Sequence, residues 1–314
     1  MMDSPRLEWA VRAPHPALRH LVRRYFGYFQ ALAPLDSGRP HRGLPAHTVV
    51  LMISLAEPFH LLAEPDDPDG AIRAQAAVSG LHLGHALLQQ ERSQGGIHIE
   101  INPLGVHTLL GVAAPELASQ FLDVTELPVP WARSLPERLL AQPDWAGRFR
   151  LLDAELLAAL RPDPTLPEVG WIWRQLASRQ GNIAIGRLAA EVGWSRQYLG
   201  KRFTRATGLG PKQVSRLMRF EHSASLLRTG RPPADVATAA GFYDQAHLSN
   251  EWRALAGCPP SEWLHEYDPY FKVAAAFIRR MPTTEHPLPQ AEEVWGAPAG
   301  GRISEQVRVG SVTF

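Results

Sequence analysis

Two segments in the C-terminal half of this 314-residue chain carry the same pattern, and that pattern restricts the fold more than any other feature of the sequence. The segments run from Leu188 to Phe203 and from Val236 to Trp252. In each, a short run of mostly small residues ends at a glycine, Gly193 or Gly241, and glycine readily supplies the positive φ of a tight turn between helices. Each segment is therefore predicted to form two helices joined by a short turn.

The second helix of each pair has a predicted start and a predicted buried side. An N-cap residue, Ser195 or Asp244, can accept a hydrogen bond from an unpaired backbone N–H of the first turn. Apolar residues four positions apart then lie on one side of the helix. These pairs are Leu199 with Phe203 and Leu248 with Trp252. The opposite side is left for solvent or for a partner.

That opposite side carries donors and acceptors suited to DNA. Arginine and lysine bond guanine, glutamine and asparagine pair with adenine, and alanine contacts a thymine methyl group. A single segment of this kind is as well explained by an ordinary solvated helix, whereas two in one domain favour DNA binding. The candidate DNA-binding residues are Ser195, Arg196, Gln197, Gly200 and Lys201 on the first helix (about 195–207) and Asp244, Gln245, Ala246, Ser249, Asn250 and Arg253 on the second (about 244–256).

A long helix is predicted between the two segments, roughly from Pro211 to Thr229. Proline is tolerated in a first helical turn, and Gly230 followed by Pro232 ends the helix. Gly193 and Gly241 are 48 residues apart (241 − 193). A rigid helix in this interval would hold both second helices on one side of a duplex, about 34 Å apart and in successive major grooves.

These residues resemble the AraC/XylS family of bacterial transcription regulators, whose motifs are matched over about residues 183–267. The resemblance implies a sequence-specific transcription regulator with double-stranded DNA as its partner. The matching positions are Leu188, Ala189, Gly193, Ser195, Leu199, Phe203, Gly208, Arg219, Leu226, Leu227, Val236, Ala237, Gly241, Phe242, Asp244, Gly257, Pro260, Ser261 and Trp263.

Several positions depart from the family pattern. Asn250 stands where the second unit usually has a basic residue, and Trp252 replaces a phenylalanine. Gly200 replaces a longer polar residue, and Lys201 replaces an arginine, which keeps the charge but loses the bidentate fork. Ser223 holds the small-residue position of the connecting helix. We expect the fold to be unaffected, while the target sequence is left undetermined.

Charge is divided unevenly along the chain. Residues 171–267 carry 13 Lys and Arg against 7 Asp and Glu, a net of +6, whereas residues 1–170 carry 14 against 19, a net of −5. The acidic part is expected to face away from DNA. A segment with three prolines, 161–167, is typical of a linker. We predict a sensor or dimerisation domain over 1–163, an AraC-type DNA-binding domain over 164–272, and a disordered tail over 273–314.

The N-terminal domain is predicted to be α+β, with a small antiparallel sheet or open barrel followed by helices, and the C-terminal domain to be all-α. A helix is predicted around Ala17 to Phe26. Strands are predicted at Thr48 to Leu55, Phe59 to Ala63, Ala76 to Ser79, Ala86 to Gln90 and Ile97 to Ile101, and further helices at Val106 to Leu110, Pro115 to Phe121, Pro136 to Ala141 and Trp145 to Leu160.

The N-terminal part also resembles, more loosely, the sensor-like domain of one group of AraC-type regulators. This resemblance leaves open a small-molecule effector, a homodimer and RNA polymerase as further partners. The residues that carry it are Tyr25, Phe26, Tyr28, Phe29, Leu44, Pro45, Ser79, Gly80, Leu81, His82, Asn102, Pro103, Leu104, Gly105, Leu135, Glu137, Arg138 and Leu139.

Two alternatives stay open for the N-terminal domain. It could be an oligomerisation module without a ligand, or a small-molecule enzyme fused to a DNA-binding domain. The enzyme alternative is the weaker one because the chain lacks G-x-x-x-x-G-K-(S/T), G-x-G-x-x-G, G-x-S-x-G and H-E-x-x-H. We therefore expect no enzymatic activity.

No metal site and no cofactor are expected. His82, His85 and His98 are the nearest approach to an imidazole cluster, but no carboxylate or thiol accompanies them at a ligand spacing. The single cysteine, Cys258, permits no intramolecular disulfide. No apolar stretch approaches the ~20 residues that span a bilayer, and the N-terminus lacks the order of a signal peptide. A cytoplasmic protein without a membrane partner is therefore expected.

Overall fold

The computed structural model of the chain describes residues 6–31, 40–63, 71–89, 93–266 and 307–313. The N-terminal part contains two antiparallel sheets with short helices after them, and the part from 167 to 266 is helical. The predicted fold class, α+β followed by an all-α domain, is confirmed.

All strand pairs in the described residues are antiparallel. The larger sheet has the strand order β10-β7-β4-β9-β2-β1-β11, and the smaller sheet has the order β3-β8-β5-β6. The strands are β1 Arg6–Arg12, β2 Val22–Ala31, β3 Pro40–Gly43, β4 Val49–Ser54, β5 Phe59–Ala63, β6 Ile72–Ala74, β7 Ala76–Ser79, β8 Ala86–Gln89, β9 Ser93–Ile101, β10 Phe121–Asp123 and β11 Arg308–Thr313.

The helices form two groups along the chain, separated by residues 160–166, which have no regular secondary structure and connect α5 to α6. The helices before it are α1 Val106–Leu110, α2 Ala114–Leu117, α3 Pro130–Arg133, α4 Leu135–Leu140 and α5 Trp145–Ala158. Those after it are α6 Pro167–Ser178, α7 Ile185–Glu191, α8 Arg196–Thr207, α9 Pro211–Arg228, α10 Pro233–Ala239, α11 Gln245–Ala256 and α12 Pro260–Glu266.

Strand β9 shows how the larger sheet packs on two sides. Ile97, Ile99 and Ile101 are fully buried in the main hydrophobic core, as their alternation in the sequence predicts. The intervening His98 points to the other face, where its ring lies 5.5 Å from the ring of Tyr28. A smaller core, built from Met52, Leu61, Ala74, Ala77 and Phe121, forms a separate cluster from the main one.

Two predictions about the N-terminal elements are wrong. The helix predicted around Ala17 to Phe26 is a short 3-10 turn at Pro16–Leu18 followed by strand β2. The aromatic residues alternate across this strand, because Tyr25 stacks on Phe149 while Phe26 lies beside His98. The helix predicted from Pro115 to Phe121 ends at Leu117, and Phe121 begins strand β10. In both places pairing with a distant strand overrides the local pattern.

The end of the predicted disordered tail is ordered. Residues Arg308–Thr313 form β11, which pairs along β1 from Arg6↔Thr313 to Val11↔Arg308. This part of the tail prediction is therefore wrong, because the free edge of β1 offers backbone hydrogen bonds that no local pattern reveals. Residues 267–306 lie outside the described residues.

The main hydrophobic core is continuous between the two parts of the chain. One cluster of buried residues extends from the larger sheet, including Ile99, through helix α1 to Phe203 and Leu255 in the C-terminal helices. Among the described helices, none combines the length and the apolar composition needed to cross a bilayer.

Candidate nucleic-acid interface

The first predicted unit is a helix-turn-helix formed by α7 and α8. Gly193 has φ +69°, and the next residue, Trp194, donates its backbone N–H to the carbonyl of Ala189 at 2.8 Å. The Ser195 hydroxyl accepts the N–H of Tyr198 at 3.1 Å and so caps α8. The positive φ and the N-cap inferred from the sequence are both present.

The inner side of α8 packs as predicted. Leu199 and Phe203 are fully buried, and the Phe203 ring stacks on Trp173 of α6 with ring centroids 6.1 Å apart. Helix α6 thus packs against the inner side of α8, and the outer side of α8 is exposed to solvent.

The second unit, α10 with α11, repeats this geometry. Gly241 has φ +75°, and Asp244 accepts the His247 N–H at 2.7 Å to cap α11. The Nδ1 atom of the His247 ring also accepts a hydrogen bond from the backbone N–H of Tyr243, at 3.2 Å. Leu248 and Trp252 are fully buried on the inner side.

Helix α9 connects the two units and holds the second one at three points. The Trp252 indole donates to the Ser223 hydroxyl at 2.9 Å in the buried interior. Arg216 forms an ion pair with Glu251 of α11, with 2.5 Å between Nε and Oε2. Arg219 reaches the carbonyl of Gly241 in the turn, at 3.5 Å.

These contacts explain two of the departures from the family pattern. The larger ring of Trp252 brings an N–H into the core, and Ser223 accepts its hydrogen bond. Glu251, which follows Asn250 in the sequence, pairs with α9 and is therefore not directed at the open side of α11. Asn250 itself accepts from Arg253 at 3.1 Å, so these two candidates act as a pair on the surface.

The structure brings all the predicted DNA-binding residues to the outer sides of α8 and α11. Gly200 and Ser249 are half-buried, and the others are exposed. A Cβ atom added at Gly200 would meet nothing within 4 Å, so the missing side chain leaves open space on this surface. Accessible polar groups near the start of a helix have the donors and acceptors that base edges can pair with.

One candidate, Arg196, has an orientation that the sequence did not predict. Its guanidinium lies across α7, since a Cβ at Gly186 would be 2.7 Å from both Nε and Nη2 of Arg196. It lines an open groove of about 630 Å³ between α7, α8 and the start of α9, together with Arg187 and Lys212. A cationic groove beside α8 suits a phosphate rather than a base edge.

Sequence reasoning missed two exposed aromatic side chains beside the N-caps. Tyr198 is 46% exposed and follows the cap of α8, and Tyr243 is 92% exposed and precedes the cap of α11. Tyrosine hydroxyls are common partners of phosphate oxygens. A signal was present in the sequence, because each lies within three residues of a predicted N-cap.

The N-terminal histidines are dispersed. His98 lies beside Tyr28 on the face of the larger sheet that points away from the main core, His85 contacts Arg42 at 3.4 Å, and His47 contacts Glu221 of α9. Within the described ranges, no three His, Cys, Asp or Glu side chains are grouped so that they could hold a metal ion. Cys258 is buried, with 1% exposure.

Two helix-turn-helix units joined by one connecting helix define a tandem helix-turn-helix domain. Residues 188–266 match a family model described as "Helix-turn-helix domain". The C-terminal part of this chain is a helix-turn-helix domain of the AraC type.

Comparison with known proteins gives partial matches. An uncharacterized HTH-type transcriptional regulator of Bacillus subtilis, YbfI, is 33% identical over 67 residues, which are 21% of this chain. The chain thus spans about a quarter (24%) of the length of this relative.

Among solved structures, apo ToxT from Vibrio cholerae is 12% identical with a TM-score of 0.47, covering 77% of this chain and 97% of ToxT. The C-terminal domain of AraT, a response regulator from Geobacillus stearothermophilus, is 21% identical with a TM-score of 0.31, covering 33% of this chain and 88% of that domain.

Proposed function

We propose that this chain is a sequence-specific DNA-binding transcription regulator, and that α8 and α11 enter successive major grooves of one duplex. The observation that carries the proposal is the pair of capped recognition helices, whose outer sides are polar and exposed while their inner sides are buried on a common core. The proposal divides the chain at 163/164 and places its activity in the cytoplasm, where bacterial chromosomal DNA lies.

Electrostatics supports this assignment. The net charge of +6 on residues 171–267 attracts the phosphate backbone, whereas the net charge of −5 on residues 1–170 is repelled by it. The proposed partner is therefore double-stranded DNA on the side of the molecule that carries α8 and α11.

The side chains divide into two proposed roles. Gln197 and Gln245 are exposed near the helix starts and have the donor and acceptor geometry that reads adenine. Lys201, one turn after Gln197, and Arg253, two turns after Gln245, are proposed to contact phosphates. Arg196 joins the phosphate group because its guanidinium lies in the groove beside α7.

The N-terminal domain is proposed to modulate DNA binding. Its contacts with α8, α9 and the segment after α11 give it a direct physical connection to both units. A small-molecule effector, a second copy of the chain and RNA polymerase remain proposed partners of this domain. A thermal-shift screen tests for an effector, because a ligand that binds the folded state raises the melting temperature.

Selection of duplexes from a randomised library by the full chain tests the function. We expect one enriched sequence with two half-sites about one helical turn apart. Gln197→Ala should weaken binding to that sequence by about 1–3 kcal/mol while leaving binding to random DNA unchanged. Failure to enrich any sequence at low salt would refute the proposal.

A further inference from the structure

The N-terminal domain contacts both helix-turn-helix units at equivalent places. Each recognition helix ends at a glycine in the left-handed region, Gly208 after α8 (φ +87°) and Gly257 after α11 (φ +72°). A Cβ at Gly208 would lie 3.0 Å from the carbonyl oxygen of Ala114 in α2. A Cβ at Gly257 would lie 2.4 Å from the ring of His85, the residue directly before strand β8 of the smaller sheet. One domain therefore touches the C-terminal ends of both recognition helices.

The second of these contacts includes charged groups. Arg42 of β3 lies 3.4 Å from His85 Nε2 and 3.9 Å from the carboxylate of Glu262 in α12. The N-terminal domain thus contacts the segment from Gly257 to Glu262, which follows α11, through close packing at Gly257 and an ion pair at Glu262.

A third contact reaches the helix that connects the units. The Glu221 carboxylate of α9 accepts a hydrogen bond from the backbone N–H of His47 and a second one from the His47 ring, with 2.6 Å between Nδ1 and Oε1. Arg23 of β2 lies 3.6 Å from Glu221 and 3.4 Å from Glu100 of β9, and Glu100 also pairs with Arg24 at 2.6 Å. We call these five residues the interdomain ion cluster.

The cluster favours the ionised form of its central carboxyl group. Burial by itself raises the pKa of Glu221, but the bonds and charge of His47, followed by the charge of Arg23, outweigh it and lower the pKa to about 2. The Glu221 side chain is only 24% exposed. A carboxylate so enclosed is costly to leave without its partners, so it holds α9 against the N-terminal domain.

The docked N-terminal domain leaves the DNA-binding sides open. Its contacts are beyond the last residues of α8 and α11 and on α9, whereas the candidate DNA-binding residues lie along the outer sides of both helices, where all but the half-buried Gly200 and Ser249 are exposed. Docking is therefore compatible with DNA binding, and it adds a second connection between the two units besides α9.

We propose that the docked N-terminal domain, held by the interdomain ion cluster, fixes the relative position of the two recognition helices and so raises affinity for sites that engage both units. Glu221 and Arg23 act in this as positioning residues, without contacting DNA. The inference rests on the proposed DNA-binding function. Two units that are already fixed lose less conformational freedom on binding than two that move independently.

The test uses the full chain, with Glu221→Gln and Arg23→Gln as variants. Arg23 is 48% exposed, so its replacement keeps the core intact. Glu155→Gln is the matched control, because it removes a similar ion pair, Glu155 with Arg138 at 2.5 Å, that lies within the N-terminal domain. The DNA probes are the duplex selected by the wild-type chain and a shortened duplex that keeps one half-site.

Amide hydrogen exchange of residues 113–118, which contact Gly208 and lie outside the cluster, reports on docking. We expect Glu221→Gln and Arg23→Gln to increase this exchange and to weaken binding to the two-unit duplex by about 5- to 20-fold. Binding to the half-site duplex should be unchanged, and the control should match the wild type throughout.

Several results would overturn the inference. One is unchanged exchange in both variants, which would mean that the cluster does not maintain docking. Another is increased exchange with unchanged or tighter binding to the two-unit duplex. Equal weakening on both duplexes would indicate a general structural defect. A wild-type chain that selects no duplex would instead refute the proposed function, and this inference with it.

Discussion

The hydrogen bond between Trp252 and Ser223 offers a quantitative test of how this domain is stabilised. Both residues are fully buried, and the indole N–H donates to the Ser223 hydroxyl at 2.9 Å. The hydroxyl in turn donates to the Phe220 carbonyl at 2.7 Å. Ser223→Ala removes the acceptor and leaves a buried N–H without a partner, which costs about 1–3 kcal/mol.

Ser223→Ala should have little effect on the free energy of unfolding in a variant that lacks the Trp252 indole. Trp252→Phe removes the donor and part of a ring packed on Phe220 and Trp263, with centroids 4.7 Å and 4.8 Å away, and should cost about 2 kcal/mol by itself. In that background Ser223→Ala leaves no group unpaired, and alanine is the better helix former. The coupling energy of the two residues should therefore be about 1–2 kcal/mol.

Urea unfolding of the four proteins, followed by far-ultraviolet circular dichroism, measures this coupling. The midpoint difference at constant slope gives the change in free energy of unfolding. If Ser223→Ala costs the same with Trp252 as with phenylalanine there, within about 0.5 kcal/mol, the hydrogen bond does not stabilise the domain. The explanation of this departure from the family pattern would then be wrong.

Three further predictions concern the turns, the ion cluster and the DNA contacts. Gly241→Val should destabilise the domain by about 2 kcal/mol or more in thermal unfolding, because a β-branched residue resists φ +75°, whereas Gly193→Ala, with open space around its Cβ, should cost only about 1 kcal/mol. The pKa of the Glu221 carboxyl is lowered from 4.5 to about 2, so its ionised form should add up to about 3 kcal/mol to the free energy of unfolding above pH 4.5, and this stabilisation should be lost as the pH falls towards 2. The Glu221→Gln variant should not show this loss when its free energy of unfolding is measured across the same pH range. Lys201→Ala and Arg253→Ala should each weaken all duplexes alike and reduce the slope of log K against log salt by about 1, and an unchanged slope in fluorescence anisotropy titrations would exclude a phosphate contact.

The two helix-turn-helix units were predictable because their determinants are local. A glycine at positive φ, an N-cap residue and an apolar pair four residues apart each act within one or two turns of helix. Gly193, Ser195 and Asp244 therefore adopt the conformations that their positions in the sequence predict. The exposure of the candidate DNA-binding residues follows from the burial of the opposite side.

The orientation of individual side chains within the interface was not predictable. Arg196 lies across α7 because Gly186, ten residues earlier, leaves room for its guanidinium. Glu251 turns inward because Arg216, 35 residues earlier, offers an ion pair. These choices depend on neighbours that only the packing of α7 and α9 brings near.

By itself, the sequence determined the two turns, the helices on either side of them and the separation of basic from acidic charge. Only the tertiary structure decided that the aromatic segment after Leu21 is strand β2, that Arg308–Thr313 pairs with β1, and that Glu221 meets His47 across 174 residues of chain. Strand pairing and domain docking depend on hydrogen bonds and charges between residues far apart in the sequence, and no local pattern specifies which distant partner will satisfy them.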